Sequence, residues 1–244
     1  MASVLRYSPL NRALCFWEKT LKHKIYDSFG RDLFTHKKGS DRTALEQYHV
    51  DCWKTCRSIE TAIKKLKISE QCLRHSYKFC PNEHEIAEYI EFHIENYLIR
   101  SRTIYDRVLI FTNFLCDIQM AKDSVNHQAI ITNGKVIRAD LVSLLKSVNK
   151  ACSSYRLERN GVIHHDKYHD EELEWVDTAR KAKRILGGDL TKIGLSDEII
   201  LEKTAAVIFE HLVEFEKNTE SVVAAVELFL NKALETYEHT SQQT

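Results

Sequence analysis

EHEIAEYIEFHIENYLIRSRTIYDRVLIFTNFLCDI, residues 83–118, decides the fold class of this 244-residue chain. Ile86, Ile90, His93, Tyr97, Ile104, Val108, Phe111, Leu115 and Ile118 keep a helical rhythm through it, with no glycine or proline to interrupt. That period gathers apolar side chains on one stripe of an α-helix. The segment is therefore predicted as a single helix of about 35 residues, about 50 Å long, that forms a central spine. Polar residues intrude on or beside the stripe at His93, Arg100, Ser101 and Arg102, with Glu95 and Asp106 available to pair with them. They read either as a structural ion-pair network or as support for a catalytic group elsewhere.

Working outward from this helix, Pro81-Asn82 ends whatever precedes it, and Ser69 to Phe79 has no clear period. Before that, Leu45, Tyr48, Cys52, Cys56, Ile59, Ile63 and Leu66 predict a helix that Asp41 caps and that runs to about Lys67. The first forty residues read as a short helix and a connector. Downstream, Thr132-Asn133-Gly134 lies between two apolar pairs and suits either a tight hairpin or an ordinary loop. A helix resumes at Arg138 with Leu141, Leu145, Val148, Cys152 and Tyr155 on one face, and Arg159 is next on that face. Another is expected from Glu171 to Leu186, stopped by Gly187-Gly188, and a last one from Ser196 to about Tyr237.

Only two prolines and seven glycines leave little material for the frequent turns of a β-sandwich. The expectation is one all-α domain over residues 1–244, with a core over about 83–240 and an N-terminal elaboration over about 1–80. Lys plus Arg and Asp plus Glu number 35 each, which argues against coating nucleic acid by gross electrostatics but leaves room for a local basic site. No apolar run is long enough to cross a bilayer, so the chain is expected to be cytoplasmic and without membrane partners. Seven scattered cysteines do not form a disulfide framework. His49, Cys52 and Cys56 can be drawn as metal ligands, but their helical spacing favours packed thiols, and no metal or cofactor is expected.

The chemistry concentrates between Arg156 and Asp170, which hold two arginines, three histidines, one asparagine and two aspartates. A guanidinium offers a planar fork of donors for two phosphate oxygens, as Arg159 would. An imidazole titrates near neutrality and can move a proton, as His164 would, while Asn160 orients either partner. Together they suffice for attack of a ribose 2′-hydroxyl on the adjacent phosphate without a metal. Competing readings are Arg159 capping exposed carbonyls at a helix end, and a ligand set drawn from His164, His165, Asp166, His169 and Asp170.

The stretch Arg159-Asn160-Gly161-Val162-Ile163-His164, placed after a long helix, resembles the ribonuclease motif of the HEPN superfamily. Residues 95–107 look like the long helix of one uncharacterised bacterial group of that superfamily. The resemblance implies a HEPN-like helical bundle and a homodimer that brings two copies of the motif together at a composite site. It also implies toxin–antitoxin, antiviral or RNA-processing settings, with RNA as substrate and a protein inhibitor as a further partner. Arg159, Asn160 and His164 are the expected catalytic residues, supported by His165, Arg156, Glu95, Arg102 and Asp106. Arg156, Arg159, Lys167, Arg180, Lys181, Lys183 and Arg184 are the cations available to bind a strand. The alternative is a non-catalytic module of the same fold that binds RNA, nucleotides or a protein.

Overall fold

The computed structural model describes residues 43–80, 82–165 and 168–243, apart from the side chains at 164, 165 and 241–243. The N-terminal helix and the Asp41 cap of the sequence reading lie outside the described residues. Every described element is helical, as the all-α reading of the sequence expects. Its α-helices are α1 (Ala44–Arg74), α2 (Ser76–Phe79), α3 (Ile86–Leu115), α4 (His127–Ile131), α5 (Gly134–Arg138), α6 (Val142–Ala151), α7 (Arg156–His165), α8 (Glu171–Ile185) and α9 (Asp197–Gln243).

Thr43 begins α1 through a reciprocal pair of bonds: its hydroxyl accepts from the Glu46 amide at 3.2 Å, and its own amide donates to the Glu46 carboxylate at 2.9 Å. The helix then runs through the segment that lacks a clear period, to Arg74. The spine α3 opens as a 3-10 turn at Glu83–Glu85, where Asn82 accepts from the His84 amide. It ends at Leu115, short of Ile118, because Asp117 and Gln119 take left-handed backbone conformations that no helix continues. The hairpin alternative at residues 130–137 gives way to two short helices, with Asn133 accepting from the Lys135 amide as the cap of α5. Gly187 and Gly188, with φ of 63° and 90°, stop α8 as expected. Ser196 starts α9 with its hydroxyl accepting from the Ile199 amide.

Contacts gather the described chain into two compact units. One holds residues 43–63, 103–152 and 221–243. Its interior includes Ile59, Phe111, Leu145, Val226 and Phe229, all sealed from solvent, with Phe111 edge-on to Phe229 at 6.0 Å. Cys52 and Cys56 are packed thiols in this core, and burial pushes Cys56 up to about 12. His49 meets the Tyr237 hydroxyl at 2.6 Å, so the drawn metal set is instead a buried hydrogen bond within the helical packing.

The other unit holds residues 64–102 and 153–220 and contains the motif. Ile86, Ile90, Ile94 and Tyr97 of α3 are buried there with Leu66 and Leu73 of α1 and Phe215 of α9. Tyr97 stacks on Phe215 with centroids 3.7 Å apart and planes 6° from parallel. The Tyr97 hydroxyl donates to the Phe215 carbonyl at 2.8 Å and accepts from Asn218 at 3.0 Å, which satisfies the one polar atom of a fully buried ring. Among the described residues no helix is long and apolar enough to cross a membrane.

Candidate functional site

The helix that delivers Arg159 is not the continuation of α6. Although the apolar spacing passes unbroken through Cys152 and Tyr155, α6 stops at Ala151 and residues 152–155 form a turn. The separate helix α7 then starts, and its Arg159 amide bonds the Tyr155 carbonyl at 3.0 Å. The motif therefore lies wholly inside one helix, with His164 and His165 in its last turn. Arg159 stands six residues before the helix end.

A helical register of about 100° per residue puts positions 156, 160 and 164 on one line of α7, with Arg159 about 100° to one side of Asn160. Arg156 is exposed, Arg159 and Asn160 are half-buried, and Val162 faces the core. Leu157 is 81% exposed. The Arg159 Nε is buried and has no hydrogen-bond partner among the described residues. Among the described residues the Arg180 Nε is buried without a partner in the same way. Which of the two imidazoles faces a bound strand lies outside the described side chains.

Gly161 occupies the interior of α7, where it costs about 1 kcal/mol relative to alanine. Its backbone is not left-handed, and among the described residues nothing beyond the helix's own backbone lies within 4 Å of where a Cβ would stand.

Two of the supporting residues read from the sequence meet the flanks of α7. Arg102 donates from Nη1 to the Ser153 hydroxyl at 3.2 Å, in the turn that leads into the helix. Glu95 accepts the Tyr168 amide at 3.0 Å, just beyond the exit. They hold the ends of the motif helix, a positioning contact. Asp106 is exposed and belongs to the other unit. Arg100 donates to Asn96 at 2.9 Å and Ser101 to the Leu98 carbonyl at 2.9 Å. His93 keeps a buried Nδ1 without a partner among the described residues, and burial pushes its pKa down.

An aromatic and acidic cluster that sequence reading missed packs beside these flanks. Tyr155, one residue before α7, sits edge-on to Tyr97 at 6.0 Å and to Phe215 at 5.7 Å. Tyr168 sits edge-on to His211 at 5.9 Å, and its hydroxyl points to Asp170. Burial, reinforced by neighbouring acids, pushes both phenols up, so neither exchanges a proton near neutrality. Asp170 accepts the Leu173 amide at 2.9 Å as the cap of α8 and meets the His211 Nε2 at 3.0 Å through its other oxygen. Burial alone would raise the Asp170 carboxyl, but the Leu173 amide and His211 hold it below its ordinary range. An aspartate directly before an acidic run signals an N-cap in the sequence. Its pairing with His211, forty-one residues away, has no local signature.

Of the competing metal-ligand set, the side chains of His164, His165 and Asp166 lie outside the described residues. His169 is exposed and meets Glu174 at 3.1 Å, while Asp170 is committed to the cap and to His211. Among the described residues no three His, Cys, Asp or Glu side chains gather as a metal-ligand group.

The basic surface expected on α8 is also smaller than its composition suggests. Arg180 is buried, only 6% exposed, and donates to the Glu83 carbonyl, the Tyr77 hydroxyl and Thr204, tying α8 to its neighbours. Lys181 pairs with Asp177 at 2.6 Å and Lys183 with Asp197 at 2.6 Å. Arg184 is exposed. Lys167 lies outside the described residues.

Across residues 43–233 the sequence matches the family model described as HEPN_Cthe2314-like HEPN, while no curated protein and no solved structure matches the chain. The matched span takes in α1 to α8 and most of α9. This all-helical protein, with its Arg-to-His motif carried on α7, belongs to the HEPN_Cthe2314-like HEPN family.

Proposed function

We propose that the protein is a metal-independent endoribonuclease that acts as a cytoplasmic homodimer, in a toxin–antitoxin, antiviral or RNA-processing setting. The observation that carries the reading is Arg159: a half-buried cation on a short helix whose buried Nε has no hydrogen-bond partner among the described residues. Its fork holds the scissile phosphodiester and offsets the charge that grows on the equatorial oxygens.

In the proposed reaction the ribose 2′-oxygen attacks the adjacent phosphorus while an imidazole takes its proton. The bond to the 5′-oxygen breaks, and that oxygen leaves with a proton from a second imidazole. The products are a 2′,3′-cyclic phosphate and a 5′-hydroxyl end, with no net change in protons. Two copies of His164, one from each subunit, would serve as base and acid, and Asn160 would orient the attacking ribose. His165 and Arg156 contact the strand, and Glu95 and Arg102 hold the ends of α7.

The test is cleavage of single-stranded RNA by the purified protein in EDTA. Arg159→Ala is expected to lower the rate about 100- to 1000-fold, and His164→Ala by about 100- to 10,000-fold. Full activity in both variants would remove the site.

A non-catalytic interaction module is the second reading, favoured by one observation. Leu201, Phe209 and Val213 lie on one line of α9 and are 52%, 67% and 50% exposed, a face suited to a protein partner. Stable association with a protein partner, lost in Phe209→Ser, together with no RNA cleavage would select it.

A further inference from the structure

The geometry points to the outer side of α9 as the docking face for a helix of another protein, apolar at its centre and carrying lysine or arginine at both ends. The inference rests on the protein-partner face noted above and adds the chemistry of the partner; it is independent of RNA cleavage.

Phe209 and Val213, 67% and 50% exposed, form the apolar centre of the face. Ala205 and Ala206 are exposed beside them and are small enough to let a second helix come close. Glutamates bound this centre at both ends. Glu202 and Glu216 lie seven residues before and after Phe209, and Glu198 and Glu220 lie eleven before and after. At about 100° per residue all four fall within about 20° of Phe209 around the helix, roughly 10 Å and 16 Å to either side of it. All four are exposed, and Glu216 also pairs with Arg74. Residues 197–220 hold seven carboxylates against two lysines, and Lys203 is bonded to Glu172 at 2.7 Å.

That placement selects the occupant. A second copy of the chain, laid antiparallel on the same face and centred on Phe209, sets Glu202 against Glu216 of the copy and Glu198 against Glu220 of the copy. Laid parallel, each glutamate meets its own counterpart. Both arrangements bury the phenyl rings only by pressing like charges together, which destabilises the pairing. A nucleic acid or an anionic bilayer meets the same repulsion. A helix with apolar residues at its centre and cations seven and eleven residues to either side matches the face in both respects. Its apolar side chains cover Phe209 and Val213 while its cations meet the four glutamates, as charges flanking an apolar seam choose the partner in paired helices.

The test uses the full-length protein and two synthetic alanine-rich helical peptides, each with leucines at its centre and either lysines or glutamates seven and eleven residues to each side. Affinity at physiological salt is expected to be about tenfold higher for the lysine peptide than for the glutamate peptide. Phe209→Ser should weaken binding of the lysine peptide about tenfold. Glu202→Lys combined with Glu220→Lys should reverse the preference, so that the glutamate peptide binds about tenfold tighter, with the helical content of both variants unchanged. Asp123→Lys combined with Glu171→Lys, a pair of exposed acids outside α9, should leave the preference as in wild type. Failure of the lysine peptide to bind, equal affinity for the two peptides, or reversal by the control pair overturns the inference. So does a wild-type dimer, seen by light scattering, that Phe209→Ser converts to monomers, because the face then belongs to a second copy. No RNA takes part, so each of these failures leaves the ribonuclease reading in place.

Discussion

At Arg159 a guanidinium nitrogen is held away from solvent with no acceptor among the described residues. A buried donor left in this state works against stability. If Arg159 serves an RNA phosphate, removing its charge while keeping its bulk separates function from folding. Arg159→Met is expected to melt at the wild-type temperature or above and to lose cleavage by about 100- to 1000-fold. Parallel thermal melts and cleavage assays check this. A drop of several degrees would mark Arg159 as a structural residue. Residue type and spacing single out Arg159, but its half-buried setting was not legible, because burial depends on tertiary packing rather than on local sequence. The same limit applies to Arg180, which composition places on a basic surface and packing places inside.

Among the elements, the long helices were the most readable. α1, α3 and α9 carry apolar periods with few interruptions, and repetition over many turns outweighs single polar residues. The break between α6 and α7 was hidden because Cys152 and Tyr155 continue the apolar face while their backbone turns. The short helices α4 and α5 were missed for a related reason: Asn-Gly suits a hairpin, yet asparagine is also a strong helix cap, and the cap prevails here. The α8 cap carries a prediction in pH. Asp170 is held below its ordinary range in the folded chain, so its charge contributes stability above about pH 4 and loses that contribution as the pH falls further. Asp170→Asn keeps a capping oxygen but removes the charge opposite His211. It should melt below wild type at pH 7, and the gap should narrow below about pH 4 in thermal melts. A gap that stays constant down to pH 2 would show that the charge contributes nothing.

At the scale of the whole molecule, charge balance sets how RNA is held. Acidic and basic residues are equal in number, and Lys181 and Lys183 on α8 are paired with Asp177 and Asp197. If Arg156 and Arg159 of two subunits make the phosphate contacts, about four phosphates are engaged, and the logarithm of affinity should fall against the logarithm of salt with a slope of about −3. Arg156→Ala should halve that slope in a binding titration across salt concentrations. A slope near −8 would place RNA on a broader basic surface.

The most direct measurement uses an RNA oligomer with one cleavage site and a matched oligomer carrying a single 2′-deoxyribose immediately 5′ to that site. With both incubated in EDTA, the account predicts cleavage of the first to a 2′,3′-cyclic phosphate end and no cleavage of the second at that position. Cutting of the deoxy-substituted strand at the same bond, or products bearing a 5′-phosphate, would contradict attack by the neighbouring hydroxyl and with it the role given to Arg159 and His164.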